Sequence, residues 1–191
     1  GSVTKLEGTD MSWQRSEENN VQEGGVTCVS LSDNRSEVII GTSTGAVLRM
    51  MIAGLEHFSV GLSHTSEITC IAFGLESSTL FATGTYQGEL RVWDITDYAC
   101  LALLKVEAKA GSVSCLAMTE DGSVIRGWSD GFLRCHDATL HRQLWVVPGA
   151  HRGGVATRAF KSDSNSSLSF IAPGGMDCTV RVWRVGNREL V

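Results

Sequence analysis

Residues 81–94 read "FATGTYQGELRVWD", and three other stretches superimpose on them without a gap. They are "IIGTSTGAVLRM" at 39–50, "IRGWSDGFLRCHD" at 125–137 and "APGGMDCTVRVWR" at 172–184. Gly41, Gly84, Gly127 and Gly174 coincide, and the position four later reads Gly45, Gly88, Gly131 and Cys178. Upstream, "VTCVSLS", "ITCIAFG", "VSCLAMT" and "VATRAFK" coincide as well, which puts Cys28, Cys70, Cys115 and Thr157 at one repeat position. Four registers about 43 residues apart are one supersecondary unit reused.

Each unit reads as strands. The upstream stretches are rich in β-branched and small apolar residues. "TGAVLRM" and "GELRVW" alternate as half-buried strands do. Glycine and small polar residues mark the turns. A fourth strand-like stretch follows in three units, as "HFSVGLS", "ACLALLK" and "RQLWVVP". No amphipathic helix is apparent. Four strands in about 43 residues make a β-propeller blade, so the expected fold is all-β, with four four-stranded antiparallel blades. The expected units are 24–63, 64–106, 107–150 and 151–191, the last cut short in its outer strand. Residues 1–23 are expected to be a lead-in segment or part of a preceding blade, and Gly1 and Ser2 read as the scar of a cleaved tag. Four blades without a closing signal suggest an open arc from a larger protein, with unpaired edges at its ends.

Composition narrows the function. A charged fraction of 19% and a hydrophobic fraction of 42% describe a globular chain. No apolar run approaches the roughly 20 residues of a membrane span. The net charge of −5 gives no global field for nucleic acid. Charge is uneven: residues 1–104 sum to −8 and residues 105–191 to +3. The six cysteines show no CxxC pair and no zinc spacing, so with no visible secretory signal they read as reduced thiols of an intracellular protein. Cys28, Cys70 and Cys115 are expected to be small buried residues of the innermost strands.

No GxSxG, HExxH, Walker-type loop or EF-hand pattern is present. The nearest metal-like cluster is Cys135, His136, Asp137 and His141. Strand alternation sends Cys135 and Asp137 to one face and His136 to the other, which splits the ligands. Neither a catalytic residue nor a cofactor or metal site is assigned.

The motif residues resemble the WD-repeat family: His64 with Trp93–Asp94, and His151 with Asp177 and Trp183. The resemblance implies a buried network of His, Ser/Thr, turn Asp and Trp that locks each blade. It assigns structural roles to His64, Trp93, Asp130, His151, Asp177 and Trp183. The pattern is eroded. Thr44 and Gln87 stand where two turn Asp residues would be, Met50 and His136 replace two Trp residues, and Pro173 replaces a Ser/Thr. On these motifs no blade has the full set.

"GGVTCVSLS", "LFATGTYQGELRVWD" and "GWSDGFLRCHDATLHRQLWVVPGAHRGGV" resemble the cilia- and flagella-associated branch of that family, and equally its centriolar, proteome-of-centriole relative. The resemblance implies a non-enzymatic scaffold of the cytoskeleton, in the cilium or flagellum axoneme or in the basal body or centriole. Its implied partners are tubulin in the doublet or triplet microtubule and inner-wall proteins, with no nucleic acid and no membrane. A generic WD adaptor in a ubiquitin ligase or trafficking coat is the alternative, and an enzyme with its site in further blades is a third reading.

Two partner-contact surfaces are expected. Tyr86 and Met176 share a turn-tip position, with Trp128 beside its equivalent in the third unit, and together they would form an apolar rim. In the basic half, Arg142, Arg152, Arg158 and Lys161 fall at outer-strand, loop and strand-end positions, and Arg142, Arg152 and Lys161 would meet an acidic partner. Arg134 and Arg181 share a position with Arg91 and are expected to lie along blade surfaces.

Overall fold

The computed structural model describes residues 1–191 apart from 10–11, 33–34, 61–62, 75–78, 106–110, 120, 138, 140–141 and 164–167. For 9, 13, 105, 158–163 and 168 it describes the backbone alone. His141 lies outside the described residues, and the side chains of Arg158 and Lys161 do too.

Every described element is a strand. A hairpin of β1 (Ser2–Thr9) and β2 (Ser12–Asn20) comes first. Blade 1 is β3 (Val26–Leu31), β4 (Glu37–Thr42), β5 (Val47–Met51) and β6 (His57–Ser59). Blade 2 is β7 (Ile68–Phe73), β8 (Leu80–Thr85), β9 (Glu89–Asp94) and β10 (Cys100–Lys105). Blade 3 is β11 (Val113–Met118), β12 (Val124–Trp128), β13 (Leu133–Asp137) and β14 (Arg142–Val147). Blade 4 is β15 (Val155–Asp163), β16 (Leu168–Gly175), β17 (Trp183–Arg184) and β18 (Glu189–Leu190). In each blade, consecutive strands pair antiparallel in chain order, as short turns require.

The blades stack through their first strands: β3 on β7, β7 on β11 and β11 on β15. No comparable packing joins β3 to β15 among the described residues, so the four sheets form an open arc. The first strands line a groove of about 230 Å³ at the inner side of the arc, with Cys28, Thr69, Cys70, Ser114, Cys115 and Thr157 on its wall. Between blades lie apolar layers. Ile39, Val47 and Ile68 meet Phe81 and Trp93 between blades 1 and 2, and Leu90 and Val92 meet Leu116 and Trp128 between blades 2 and 3. Ile125, Leu133 and Cys135 meet Val155 and Ile171 between blades 3 and 4.

Each first strand opens with a register shift, at Val26/Cys28, Ile68/Cys70, Val113/Cys115 and Val155/Thr157. A bulge leaves one residue unpaired and re-aims its side chain. Here those residues are Thr27, Thr69, Ser114 and Ala156. The Thr27 hydroxyl is shared between Gly41 O at 3.0 Å and Ile68 O of blade 2 at 2.5 Å. Thr69 repeats this with Gly84 O at 3.1 Å and Val113 O of blade 3 at 2.5 Å. Ser114 donates to Gly127 O at 3.0 Å. The bulge hydroxyls thus stitch each of the first two blades to the next, a role that the sequence motifs leave unassigned.

The tight turn between the second and third strands is the same four times. Gly45, Gly88, Gly131 and Cys178 donate to Thr42, Thr85, Trp128 and Gly175 carbonyls at 3.0–3.2 Å, with φ of 87°, 82°, 83° and 60°. At Gly45 and Gly131 a Cβ would run into the carbonyl of His64 or His151, where the next blade begins. Glycine is needed there for space as well as for backbone freedom. Cys178 carries a side chain at this position, and no described blade follows it.

The chain start departs from expectation. The Gly1 amine donates to Val21 O at 3.1 Å and Gly24 O at 2.9 Å, and Ser2 opens β1. Ser2 is thus part of the sheet, and Gly1 is hydrogen-bonded beside it. Cys28 is only half-buried, unlike Cys70 and Cys115, and no disulfide joins any of the six cysteines.

Candidate functional site

Blade 2 contains a complete polar lock. The Trp93 indole donates to Thr83 Oγ1 at 2.8 Å, and Thr83 Oγ1 lies 2.7 Å from His64 Nε2. His64 Nδ1 lies 2.9 Å from Glu89 Oε1. A carboxylate only accepts, so Nδ1 carries the hydrogen, and Nε2 accepts from the Thr83 hydroxyl. Every group in the chain Trp93–Thr83–His64–Glu89 is then used, on a neutral imidazole. Burial, with the Arg91 guanidinium beside it, pushes the His64 pKa down to about 4, which agrees with that assignment. Arg91 Nε also donates to Glu89 Oε1 at 2.7 Å.

Glu89 is the residue that motif reading missed. The motif carboxylate belongs at Gln87, two residues earlier. Gln87 lies in the turn, and Glu89, the first residue of β9, brings its carboxylate to His64 instead. The motif set is thus still incomplete in blade 2, and Glu89 stands in for the missing turn carboxylate.

Blade 4 keeps half of the lock. His151 Nδ1 meets Asp177 Oδ1 at 2.9 Å, while Nε2 meets the Pro173 carbonyl at 3.0 Å. Pro173 supplies no hydroxyl, and the Trp183 indole nitrogen is left without a partner among the described residues. The Arg152 backbone N–H, then the Thr179 hydroxyl, hold the Asp177 carboxyl well below the usual carboxylate range.

Blade 3 replaces the lock altogether. Arg126 stands at the Thr83 position and His136 at the Trp93 position, joined by Arg126 Nη2 to His136 Nε2 at 2.7 Å. Both residues are buried. Burial, then the Arg134 charge, pushes the Arg126 pKa down to about 9, and burial with Arg126 pushes His136 down to about 3. Arg126 Nε and Nη1 and His136 Nδ1 have no partner among the described residues. Asp130 is not in a histidine network. It forms a two-pronged pair with Arg134, at 3.2 and 2.6 Å, and caps Phe132 N at 3.0 Å. The equivalent arginines behave alike, Arg91 with Glu89 and Arg181 with Asp177 at 3.2 Å.

A clamp at the outer edge joins blades 1 and 2. Tyr98 donates to the Glu37 carboxylate at 3.0 Å from either oxygen, Arg49 Nε reaches Glu37 Oε2 at 2.5 Å, and the Arg49 guanidinium lies 5.0 Å over the Tyr98 ring. Burial and the carboxylate push the phenol up to about 12. No motif flagged these residues, because the contact spans 61 residues of chain.

The expected apolar rim is divided. Tyr86 is 65% exposed and Met176 68% exposed, but Trp128 is 0% exposed. Trp128 lies in the layer between blades 2 and 3, with Arg126 and Arg134 each 5.1 Å from its ring. The reading of Trp128 as a surface contact is corrected. Blades 1 and 2 carry Thr42 and Thr85 at this position, and the larger ring turns inward to fill the layer. Arg142 and Arg152 are exposed. Among the described residues no group of three or more His, Cys, Asp or Glu side chains is placed to hold a metal ion.

Comparison with known proteins follows these lines. The family described as WD domain, G-beta repeat, matches residues 58–94, the stretch carrying the complete lock. The chain is 32% identical over 169 residues to cilia- and flagella-associated protein 52 of Chlamydomonas reinhardtii, covering 86% of this chain and 26% of that protein. It is 27% identical over 165 residues to the protein of that name from Homo sapiens, again covering 86% and 26%. The chain therefore spans about a quarter of the length of these curated relatives. Among solved structures it superimposes on U3-55K with a TM-score of 0.76 at 16% identity, covering 90% of this chain and 52% of that one, a likeness of fold. With four blades in one register, a polar lock in blade 2 and a WD-repeat match over that same blade, the chain carries a WD repeat within a WD-repeat propeller fold.

Proposed function

We propose that the chain acts as a non-enzymatic WD-repeat scaffold of cilia or flagella that binds the microtubule wall or its inner-wall proteins. The observation that carries this is the 32% identity to the Chlamydomonas cilia- and flagella-associated protein, sustained over 86% of the chain. The organisation of the polar groups supports it. His64, Glu89, His151 and Asp177 are spent on locking strands within their blades. A centriolar or basal-body site belongs to the same proposal.

Contact with tubulin, an acidic partner, then falls to the basic half of the chain. Arg142 and Arg152 present exposed side chains there, and Lys161 lies on β15. Tyr86 and Met176 supply exposed apolar tips on the turns. Co-sedimentation with axonemal doublet microtubules tests the proposal. The chain should pellet with them, and Arg142→Glu, Arg152→Glu and Lys161→Glu together should weaken this several-fold. The loss should be larger at low salt, where the Debye length reaches about 30 Å at 0.01 M. A chain that stays in the supernatant with intact doublets contradicts it.

A further inference from the structure

Blade 3 exchanges an acid for a base. The position of Glu89, whose carboxylate ends the polar chain of blade 2, is Phe132 in blade 3, and the position of Thr83 is Arg126. Blade 3 has gained a guanidinium where blade 2 has a hydroxyl, and it has lost the carboxylate. Arg126 stands between Val124 and Trp128 on one face of β12, and both of those belong to the apolar layer between blades 2 and 3. The facing wall makes room for it. Ala82 of blade 2 stands where Ile39 and Ile125 fill the two other junctions.

The charges in this layer do not balance. Arg126 is 0% exposed, and an arginine stays ionised at pH 7. Its one partner among the described residues is His136, through Nη2. Burial keeps that imidazole neutral, with a pKa of about 3. Arg134, the second guanidinium beside the Trp128 ring, already holds Asp130 in a two-pronged pair. Two cations and one carboxylate leave one positive charge, and buried charges persist in folded proteins when they are paired.

The hydrogen bonds are unbalanced in the same sense. Arg126 Nη2 only donates, so His136 Nε2 accepts and Nδ1 carries the hydrogen. Arg126 Nε and Nη1, His136 Nδ1 and Trp128 Nε1 are then buried N–H groups with no acceptor among the described residues. Every orphan is a donor. A water molecule would accept from some of them, but it would bring two hydrogens that need acceptors of their own and would leave the charge in place. An anion only accepts. One charge to neutralise and a wall of Ala82, Leu90 and Val92 select a small monovalent one.

We infer that Arg126 holds a small monovalent anion of the chloride class in the layer between blades 2 and 3, in the place that a carboxylate takes in blade 2. Trp128, whose ring centre lies 5.1 Å from the guanidinium carbon, offers the next N–H.

Thermal unfolding of the full chain at pH 7 and constant ionic strength tests this. Sodium chloride or sodium bromide is exchanged stepwise for sodium gluconate, whose anion is too large for the layer. The melting temperature should rise with halide along a saturating curve. Halide at about ten times its dissociation constant should lower the unfolding equilibrium constant about tenfold. Arg126→Met with His136→Phe, which removes the charge and its partner together, should show no saturating rise. A crystal of the parent chain grown in bromide should show anomalous scattering beside the Arg126 guanidinium. A parent chain that melts alike in halide and gluconate overturns the inference, and so does an equal rise in the double variant. Bromide found at surface positions alone, an adventitious ion only, overturns it as well.

Discussion

Thr83→Val removes one oxygen and keeps the shape of the side chain. In the folded chain that oxygen accepts from the Trp93 indole at 2.8 Å and serves His64 Nε2 at 2.7 Å, and all three residues are buried. With valine in place, one buried donor and one buried acceptor lose their partners. Each orphaned group costs about 1–3 kcal/mol, so the substitution should cost about 2–6 kcal/mol. Thr83→Ser keeps the oxygen and should cost about 1 kcal/mol for the lost methyl. Urea unfolding followed by tryptophan fluorescence and far-UV dichroism measures both. At about 2–4 °C per kcal/mol for a chain of this size, the valine variant should melt roughly 4–24 °C lower. A double-mutant cycle with Trp93→Phe isolates the indole bond, and a coupling of about 1 kcal/mol is expected. A valine variant within about 0.5 kcal/mol of the parent, or a serine variant equally damaged, would refute the reasoning.

Other expectations follow from the same geometry. Arg126→Met with His136→Phe replaces a buried, partly unpaired polar pair by apolar groups, and the urea midpoint should hold or rise; a loss above about 1 kcal/mol would show that the pair stabilises blade 3. His64 and His136 have pKa values held at about 4 and about 3, against about 6.5 unfolded, so the unfolded chain binds more protons below pH 6.5. Stability should be full above about pH 6.5 and fall as the pH drops toward 4, and His136→Phe should flatten part of that slope in urea titrations at stepped pH. Native thiol labelling should be fast at Cys178, slow at Cys70 and Cys115, and intermediate at Cys28; fast labelling of Cys115 would contradict its buried place on β11.

The repeat was legible because the same steric demands recur in the first three units. A turn residue with positive φ sits under the next blade's first residues, and a small residue at the position of Gly41 accepts a neighbour's β-branched side chain. The substitutions within the lock were not legible to the same degree. Glu89 does its work from two positions away, which a fixed motif does not register. Trp128 reads as a turn-tip aromatic, yet a layer between two blades is the larger apolar sink. The Tyr98–Glu37–Arg49 clamp joins two repeats at non-equivalent positions, so no repeat alignment can display it. The β1–β2 hairpin is polar along most of its length, as in "WQRSEENN", and among the described residues Val3, with Val21 just after β2, packs against blade 1.

The lock in blade 2 rests on one proton, placed on Nδ1 of His64, and that proton is directly observable. Long-range ¹H–¹⁵N correlation spectra of the intact chain at pH 7 should show His64 as a neutral imidazole with Nδ1 protonated and Nε2 bare, with no titration until the pH approaches about 4. A His64 that carries its proton on Nε2, or titrates near 6.5 as an exposed histidine does, would contradict the chain of bonds from Trp93 to Glu89 and the blade register built on it.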